Sequence, residues 1–489
     1  MKIKIIFKIL IVSFIIISCN NSSTKKPNII VFIADDVSWD DFGCYGNNDV
    51  VTPNIDALAK NGLIFKNAYL TTSSCSPSRN SILTGRYPHN TGAAELHTEP
   101  PLNMISFPEL LKNHDYFTLQ AGKFHMGEYA KRGFDKVNDS KTLNGDGGEK
   151  LWLESVKNRP KSQPFFMWFA AYDAHRVWGD NEFSGTHQPD QIEVPEYLID
   201  GDLTRLDLAK YYDEITRFDF YIGEVIEELK LQGEYDNTLI IIMADNGRPF
   251  PHSKTRLNDQ GVKTPFIVHY PKVIKENDVV NALVSSIDIA PTIMDLVGIE
   301  VKENFQGKSF YKIFENPNQN FRNYVFAEHN WHDYESYQRM VRNDNFLYIV
   351  NSRPQYPQEG PLDAINSPTY IDLKSAQKNN SITKIQSEIF INPRPKEELY
   401  DLKKDPFQFN NLMLSENIPD DYLLLKGILN KWIIETGDSK PIKITKDWYQ
   451  REQEPFNESS LLKTKFHGVR GEMPGKSTNA VSNNSKGPF

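Results

Sequence analysis

Three runs of the chain are apolar without interruption: Asn28 to Ala34 (NIIVFIA), Pro164 to Ala171 (PFFMWFAA) and Asn237 to Ala244 (NTLIIIMA). Each is short, rich in branched or aromatic residues and stopped by polar ones, the pattern of a parallel strand buried on both faces. Gly62 to Tyr69, Phe117 to Gln120 and Gly261 to Tyr270 read as further strands. Between them, Thr52 to Leu58 opens like a capped helix, and Phe107 to Asn113 reads as another. Leu203 to Gln232 spaces its apolar residues by three and four with Asp, Glu and Lys between, which predicts an amphipathic helix pair lying over a sheet. The alternation implies an α/β fold, a mostly parallel sheet flanked by helices.

From about Asn323 the segments shorten and alternate, in NYVFAEHNW, MVRNDNFLYIVN and EELYDLKKDPFQFNNL, and a late helix follows at Tyr422 to Thr436. This predicts a smaller C-terminal α+β domain with an antiparallel sheet. The expected division is a large domain over 27–322, the smaller one over 323–450, and an extension over 451–489. Its Ser-, Asn- and Gly-rich tail from Gly475 is expected to be disordered.

The N-terminus carries Lys2, Lys4 and Lys8 before an apolar run from Ile9 to Ile17, too short to span a bilayer and ordered like a secretory leader. It ends Ile16-Ile17-Ser18-Cys19, which resembles a bacterial lipobox, with Asn20-Asn21-Ser22-Ser23 as the start of a polar tether. The expectation is a signal peptide over 1–18, lipidation at Cys19, a tether over 19–26 and export to the periplasm or cell surface of a Gram-negative bacterium. Any membrane association would come through that lipid anchor alone.

A net charge of −9 and the lack of a long basic run exclude a nucleic-acid binder. An anionic substrate would therefore need a local cluster of cationic groups. Three cysteines, Cys19, Cys44 and Cys75, do not support a disulfide framework, and Cys44 is expected to serve packing.

Candidate chemistry collects at the ends of the buried runs, where open α/β sheets bind ligands. Asp35-Asp36 ends the first run and Asp245-Asn246 the third. Together they offer oxygen ligands, which suit a hard cation such as calcium over zinc. His175 follows the second run, and Lys123 and His125 alternate after Phe117 to Gln120, so an extended backbone would aim both the same way. Cys75 opens a predicted helix, where unpaired backbone N–H groups and the helix dipole favour anions, and Arg79 stands one turn on. Glu328, His329, Trp331 and His332 form a polar-aromatic cluster in the C-terminal part that could shape a sugar subsite, with a functionless rim as the other reading.

The stretch Cys75-Ser-Pro-Ser-Arg79 with Leu83-Thr-Gly-Arg86 resembles the signature of the type I sulfatases, and Gly122-Lys123-Phe124-His125 is similar to their GKxH. The resemblance runs from about Pro27 to Leu412 and implies an alkaline phosphatase-like fold. It also implies that Cys75 is oxidised to formylglycine by a maturase. In that family the aldehyde hydrates, one hydroxyl attacks sulfur, and the second, losing its proton to His125, expels sulfate. Carried over, one Ca²⁺ is held by Asp35, Asp36, Asp245, Asn246 and the modified Cys75. Arg79 and Lys123 orient the nucleophile, His175 and Lys254 bind sulfate or protonate the leaving atom, and His329, Trp331 and His332 face the sugar.

Asp245-Asn246-Gly247 followed by Pro249-Phe250-Pro251 is similar to the heparan N-sulfatase (N-sulfoglucosamine sulfohydrolase) branch, whose basic residue falls at Lys254. His175 falls on the family's PHxP-like histidine, with Ala174 in place of proline. The resulting expectation is a sulfatase on a sulfated polysaccharide, ulvan-like first and an N-sulfoglucosamine saccharide second. A phosphatase of the same fold or a catalytically dead glycan-binding lipoprotein are the contrary readings.

Overall fold

The computed structural model describes residues 25–275, 277–300, 304–333, 335–355, 358–440 and 480–489. The leader and Cys19 lie outside the described residues. In chain order the first strands are β1 (Asn28–Ala34), β2 (Leu63–Phe65), β3 (Ala68–Tyr69), β4 (Phe117–Gly122) and β5 (Lys136–Asn138). Then come β6 (Phe165–Ala170), β7 (Thr238–Ala244), β8 (Phe266–His269), β9 (Asp278–Val280) and β10 (Val284–Ser285). The C-terminal part adds β11 (Val325–Trp331), β12 (Glu335–Arg342), β13 (Phe346–Asn351) and β14 (Glu397–Asp401).

Eight strands form one sheet in the order β5-β4-β6-β1-β7-β8-β2-β9, and β8 alone runs against the others. The three apolar runs become its centre, β6-β1-β7, with every residue buried. Alternate residues of β1 serve opposite faces: Ile29, Val31 and Ile33 join one core, Ile30, Phe32 and Ala34 the other. The first core is closed by Ile289 and Ile293 of the helix Ile289–Leu296, the second by Phe218 and Ile222 of the helix Asp202–Leu231.

That last element corrects the expected helix pair: it is one helix of 30 residues. Gly223, which could have marked a break, packs so close to Asn54 that a Cβ would lie 2.6 Å from its Cγ. The glycine permits contact between two helices, and Asp219 beside it accepts from the Asn54 and Ile55 N–H groups at the start of the helix Pro53–Lys60. Gly62 to Tyr69 is likewise two strands in different sheets, β2 in the large one and β3 paired with β10. Gly261 to Tyr270 is also divided, because Asn258 caps a short helix, Asp259–Val262, before Pro265 leads into β8.

Strands β11 to β14 form the expected antiparallel sheet. One face carries Phe326, Val341 and Tyr348 against Leu425, Leu429 and Trp432 of the helix Asp421–Thr436, with Phe326 stacked on Trp432 at 5.2 Å. The other face sets Val325, Ala327 and Met340 against Tyr69, Leu257 and Val262 of the large domain. Residues 480–489 of the tail pack against the body of the protein. Arg86 is buried, pairs with no carboxylate among the described residues, and donates to Asn90 O, Asn304 O, Asn484 Oδ1, Val481 O and Asn483 O at 2.6–3.0 Å. Gln306 adds a bond to Ser485 O.

Candidate active site

The C-terminal ends of β4, β6, β1 and β7 meet on one edge, so residues far apart in sequence converge there. Consecutive side chains on a strand point apart, yet the carboxylates of Asp35 and Asp36 turn to one place because Asp36 leaves the strand with φ 61°, a left-handed conformation Asp tolerates. Asp36 N donates to Asp245 Oδ1 at 3.2 Å, and Asn246 Nδ2 donates to Asp36 Oδ1 at 2.6 Å, which ties the ends of β1 and β7 together. Cys75 starts the helix Cys75–Thr84, and its Sγ lies 3.8 Å from Asp36 Oδ1. Asp35, Asp36 and Cys75 can each bring one ligand atom within 4.8 Å of the others.

Three cations hold these carboxylates. Arg79 donates from Nε to Asp245 Oδ2 at 2.7 Å and lies 3.6 Å from Asp35 Oδ1, Lys123 pairs with Asp35, and Lys254 Nζ bonds Asp36 Oδ2 and Asp363 Oδ2 at 2.7 Å each. Burial works against the charge on Lys254, but Asp36 and Asp363 outweigh it and hold the ammonium well above its ordinary pKa. Burial is also the main reason the Cys75 thiol sits well above the usual thiol range, more than Lys123 and Lys254 can offset. As a plain thiol, Cys75 would stay protonated and weakly nucleophilic at neutral pH.

His175 Nε2 stands 3.9 Å from both Asp36 Oδ2 and Asp363 Oδ2, half-open to solvent, while its Nδ1 donates to Arg176 O. It lines, with Asp35, Lys123, Lys141, Tyr172 and Arg176, a cavity of about 440 Å³ that opens the cluster to solvent.

His125 is placed differently from the expected alternation. β4 ends at Gly122, and His125 has φ 44°, so its ring does not follow Lys123. Its Nε2 meets His97 Nδ1 at 2.9 Å. Burial first, then Lys123, His97, Arg79 and His175, push its pKa well below the ordinary range, so it is neutral and can accept a proton.

The C-terminal cluster forms a roof over Cys75. Trp331 packs on Cys75 with Leu96, and His332 Nδ1 is 2.9 Å from the Oγ of Ser74, the residue before the helix. His329 is fully buried, and burial with Arg339 and Arg256 nearby brings its pKa down to about 3. It has no surface to offer a sugar in this structure. Glu328 is buried too, bonded to His89.

Residues 27–299 match the family model described as Sulfatase, and residues 252–351 match N-sulphoglucosamine sulphohydrolase, C-terminal. The chain belongs to the sulfatase family. This sulfatase is 31% identical over 438 residues to an ulvan-active sulfatase of Formosa agariphila, with 86% of this chain and 82% of the relative covered. It is 29% identical over 460 residues to the N-sulphoglucosamine sulphohydrolase of Homo sapiens, covering 85% of this chain and 91% of that one. A solved structure in complex with its substrate D-glucosamine-2-N,6-O-disulfate matches with a TM-score of 0.65 at 21% identity, over 84% of this chain and 98% of that one. The phosphonate monoester hydrolase of Agrobacterium radiobacter matches at 0.63 and 17%, over 84% and 95%. At such identities these two establish the fold, which is alkaline phosphatase-like.

Two residues of this sulfatase's site escaped the sequence reading. Asp363, in the segment Leu362–Ile365, reaches Lys254, and His97 reaches His125; neither stands at a strand end or in a signature. Asp363→Asn should lower kcat/KM about 10-fold or more, some 1.4 kcal/mol of transition-state stabilisation. Lys254 would keep Asp36 as its partner, so thermal unfolding by calorimetry should move by only a few degrees, roughly the shift of a 1 kcal/mol change.

Proposed function

We propose that this protein hydrolyses sulfate esters on a sulfated polysaccharide or its oligosaccharides, ulvan-like in kind, using a formylglycine formed from Cys75 and one bound Ca²⁺. The observation that carries the reading is the convergence of Cys75 with Asp35, Asp36, Asp245 and Asn246 at the mouth of one helix. The donors fit a hard cation. Asp35 Oδ1 and Asn246 Oδ1 are buried acceptors with no hydrogen-bond donor among the described residues, and all four residues offer oxygen. With Asp363, four carboxylates face three fixed cations, so the pocket carries negative charge that a divalent ion would reverse before an anionic substrate enters.

Calcium at Asp35, Asp36, Asp245 and Asn246 would supply positive charge at the sulfate oxygens. A hydrated formylglycine at position 75 would supply an oxygen nucleophile where the buried thiol cannot. The remaining work falls to the chain's own groups. Arg79 fixes Asp245 and Asp35, Lys123 holds Asp35 at the cavity wall, and both keep positive charge beside position 75. His125, held neutral, takes the proton from the nucleophile's side. His175, at the cavity wall between two carboxylates, is placed to protonate the leaving oxygen, and Lys254 to bind the sulfate.

Similarity to the ulvan-active relative over most of both chains supports an O-sulfated polysaccharide. The match of residues 252–351 to the N-sulphoglucosamine sulphohydrolase model favours N-sulfate as the second reading. Secretion and lipidation at Cys19, with a maturase as partner, complete the proposal. Free sulfate should be measured from ulvan oligosaccharides, N-sulfoglucosamine and phosphate esters in parallel. Release from ulvan is the expected result, release from the amino sugar alone would favour the second reading, and phosphate without sulfate would overturn both.

A further inference from the structure

The pair His97–His125 holds more than a hydrogen bond. His97 Nδ1 and His125 Nε2 are 2.9 Å apart, with ring centroids at 4.9 Å. The other ring nitrogen of His125, Nδ1, is buried and has no hydrogen-bond partner among the described residues. His97 is exposed but firmly placed: its backbone N–H donates to the Oγ of Ser76, next to Cys75, at 2.9 Å, and its φ is 61°. The turn around it is braced on both sides. Leu96 N donates to Trp331 O at 3.0 Å, and Thr98 N donates to Glu95 O at 3.1 Å.

One proton serves the bond between two neutral imidazole rings, so the tautomer of one ring dictates that of the other. Burial leaves His125 Nδ1 unsatisfied whether it carries a proton or a lone pair, so burial does not choose between the tautomers, and only a bare Nδ1 can take a proton. The arrangement that leaves it bare has His125 protonated at Nε2, donating to a bare His97 Nδ1. That is the form of a base ready to take a proton.

We propose that His97 is a positioning residue that fixes this tautomer of His125 and stabilises its imidazolium. The inference rests on the reading of His125 as the base. In the step itself an O–H bond breaks and an N–H bond forms at His125 Nδ1. The positive charge then lies on a ring whose Nε2–H points at the His97 lone pair.

Two variants separate this role from a structural one. His97→Gly removes the ring without opposing the left-handed backbone. His97→Asn tolerates the same backbone and returns an acceptor, Oδ1, at the place of Nδ1. His97→Gly should lose about 100-fold in kcat, within the range of general acid–base catalysis, with KM and melting temperature essentially unchanged. His97→Asn should restore most of that loss. Independently of turnover, nitrogen NMR of the unliganded protein should show His125 protonated at Nε2 in the wild type and in His97→Asn, and a tautomer mixture in His97→Gly. A wild-type His125 protonated at Nδ1 would overturn the proposal, as would a change in KM alone, an unchanged kcat, or a loss of stability that explains the loss of rate. If the wild type releases no sulfate, the functional reading fails while the NMR experiment still decides the role of His97.

Discussion

Cys75→Ala should yield a folded protein whose sulfate release is slower by about 10⁴-fold or more, the scale seen when a nucleophile is removed from an enzyme whose other groups remain. The fold should survive because position 75 belongs to a small apolar cluster, with Leu96 and Trp331, and not to the main cores. The helix it starts is held from elsewhere, by Ser78 N to Ser74 O at 2.9 Å and by buried Ile82 and Leu83 in the main core. Mass spectrometry supplies the second half of the test. In fully active wild type, the tryptic peptide containing Ser76 should be lighter by the thiol-to-aldehyde difference. Full activity with an unmodified thiol would remove the oxygen nucleophile from the mechanism.

Removing the proposed calcium should be the next most damaging change, and Asp36→Asn should mimic it. Asp36 is the most connected of the proposed ligands: it receives Asn246 Nδ2 and Lys254 Nζ, its N–H reaches Asp245, and Cys75 Sγ lies beside it. Binding to the folded state alone stabilises it by about 2.7 kcal/mol at 100 times Kd. A chelator should therefore lower the melting temperature of the wild type, and returned calcium should restore it. Asp36→Asn should melt at one temperature with or without calcium and lose about 10³-fold or more in turnover, comparable to loss of an oxyanion-stabilising group. Chelation that changes neither melting nor turnover would defeat the assignment.

What the sequence shows and hides follows from where each interaction is encoded. Strand cores were legible because full burial demands unbroken apolar runs, and strand-end Asp and Asn residues stand out against them. The single long helix was not, because apolar spacing by three and four fits one helix or two alike, and only the structure sets Gly223 against Asn54 inside one helix. The bond between His125 and His97 depends on a left-handed turn at each, which spacing cannot reveal. Asp363 arrives from the C-terminal part by chain topology alone. The packing of residues 480–489 was hidden for a related reason: Arg86, far away in sequence, has donors that Val481 O, Asn483 O and Asn484 satisfy together with Asn90 O and Asn304 O.

Under the proposed conversion of Cys75, the roof over position 75 also sets an order of events in biosynthesis. Cys75 is 2% exposed beneath Trp331 and Leu96, and Trp331 belongs to a strand made some 250 residues later, a separation read directly from the numbering. An enzyme that alters this side chain must therefore arrive while the C-terminal sheet is still unformed. The supply of active protein would then be set by a race between modification and folding, and slower folding or slower export would raise the fraction that matures.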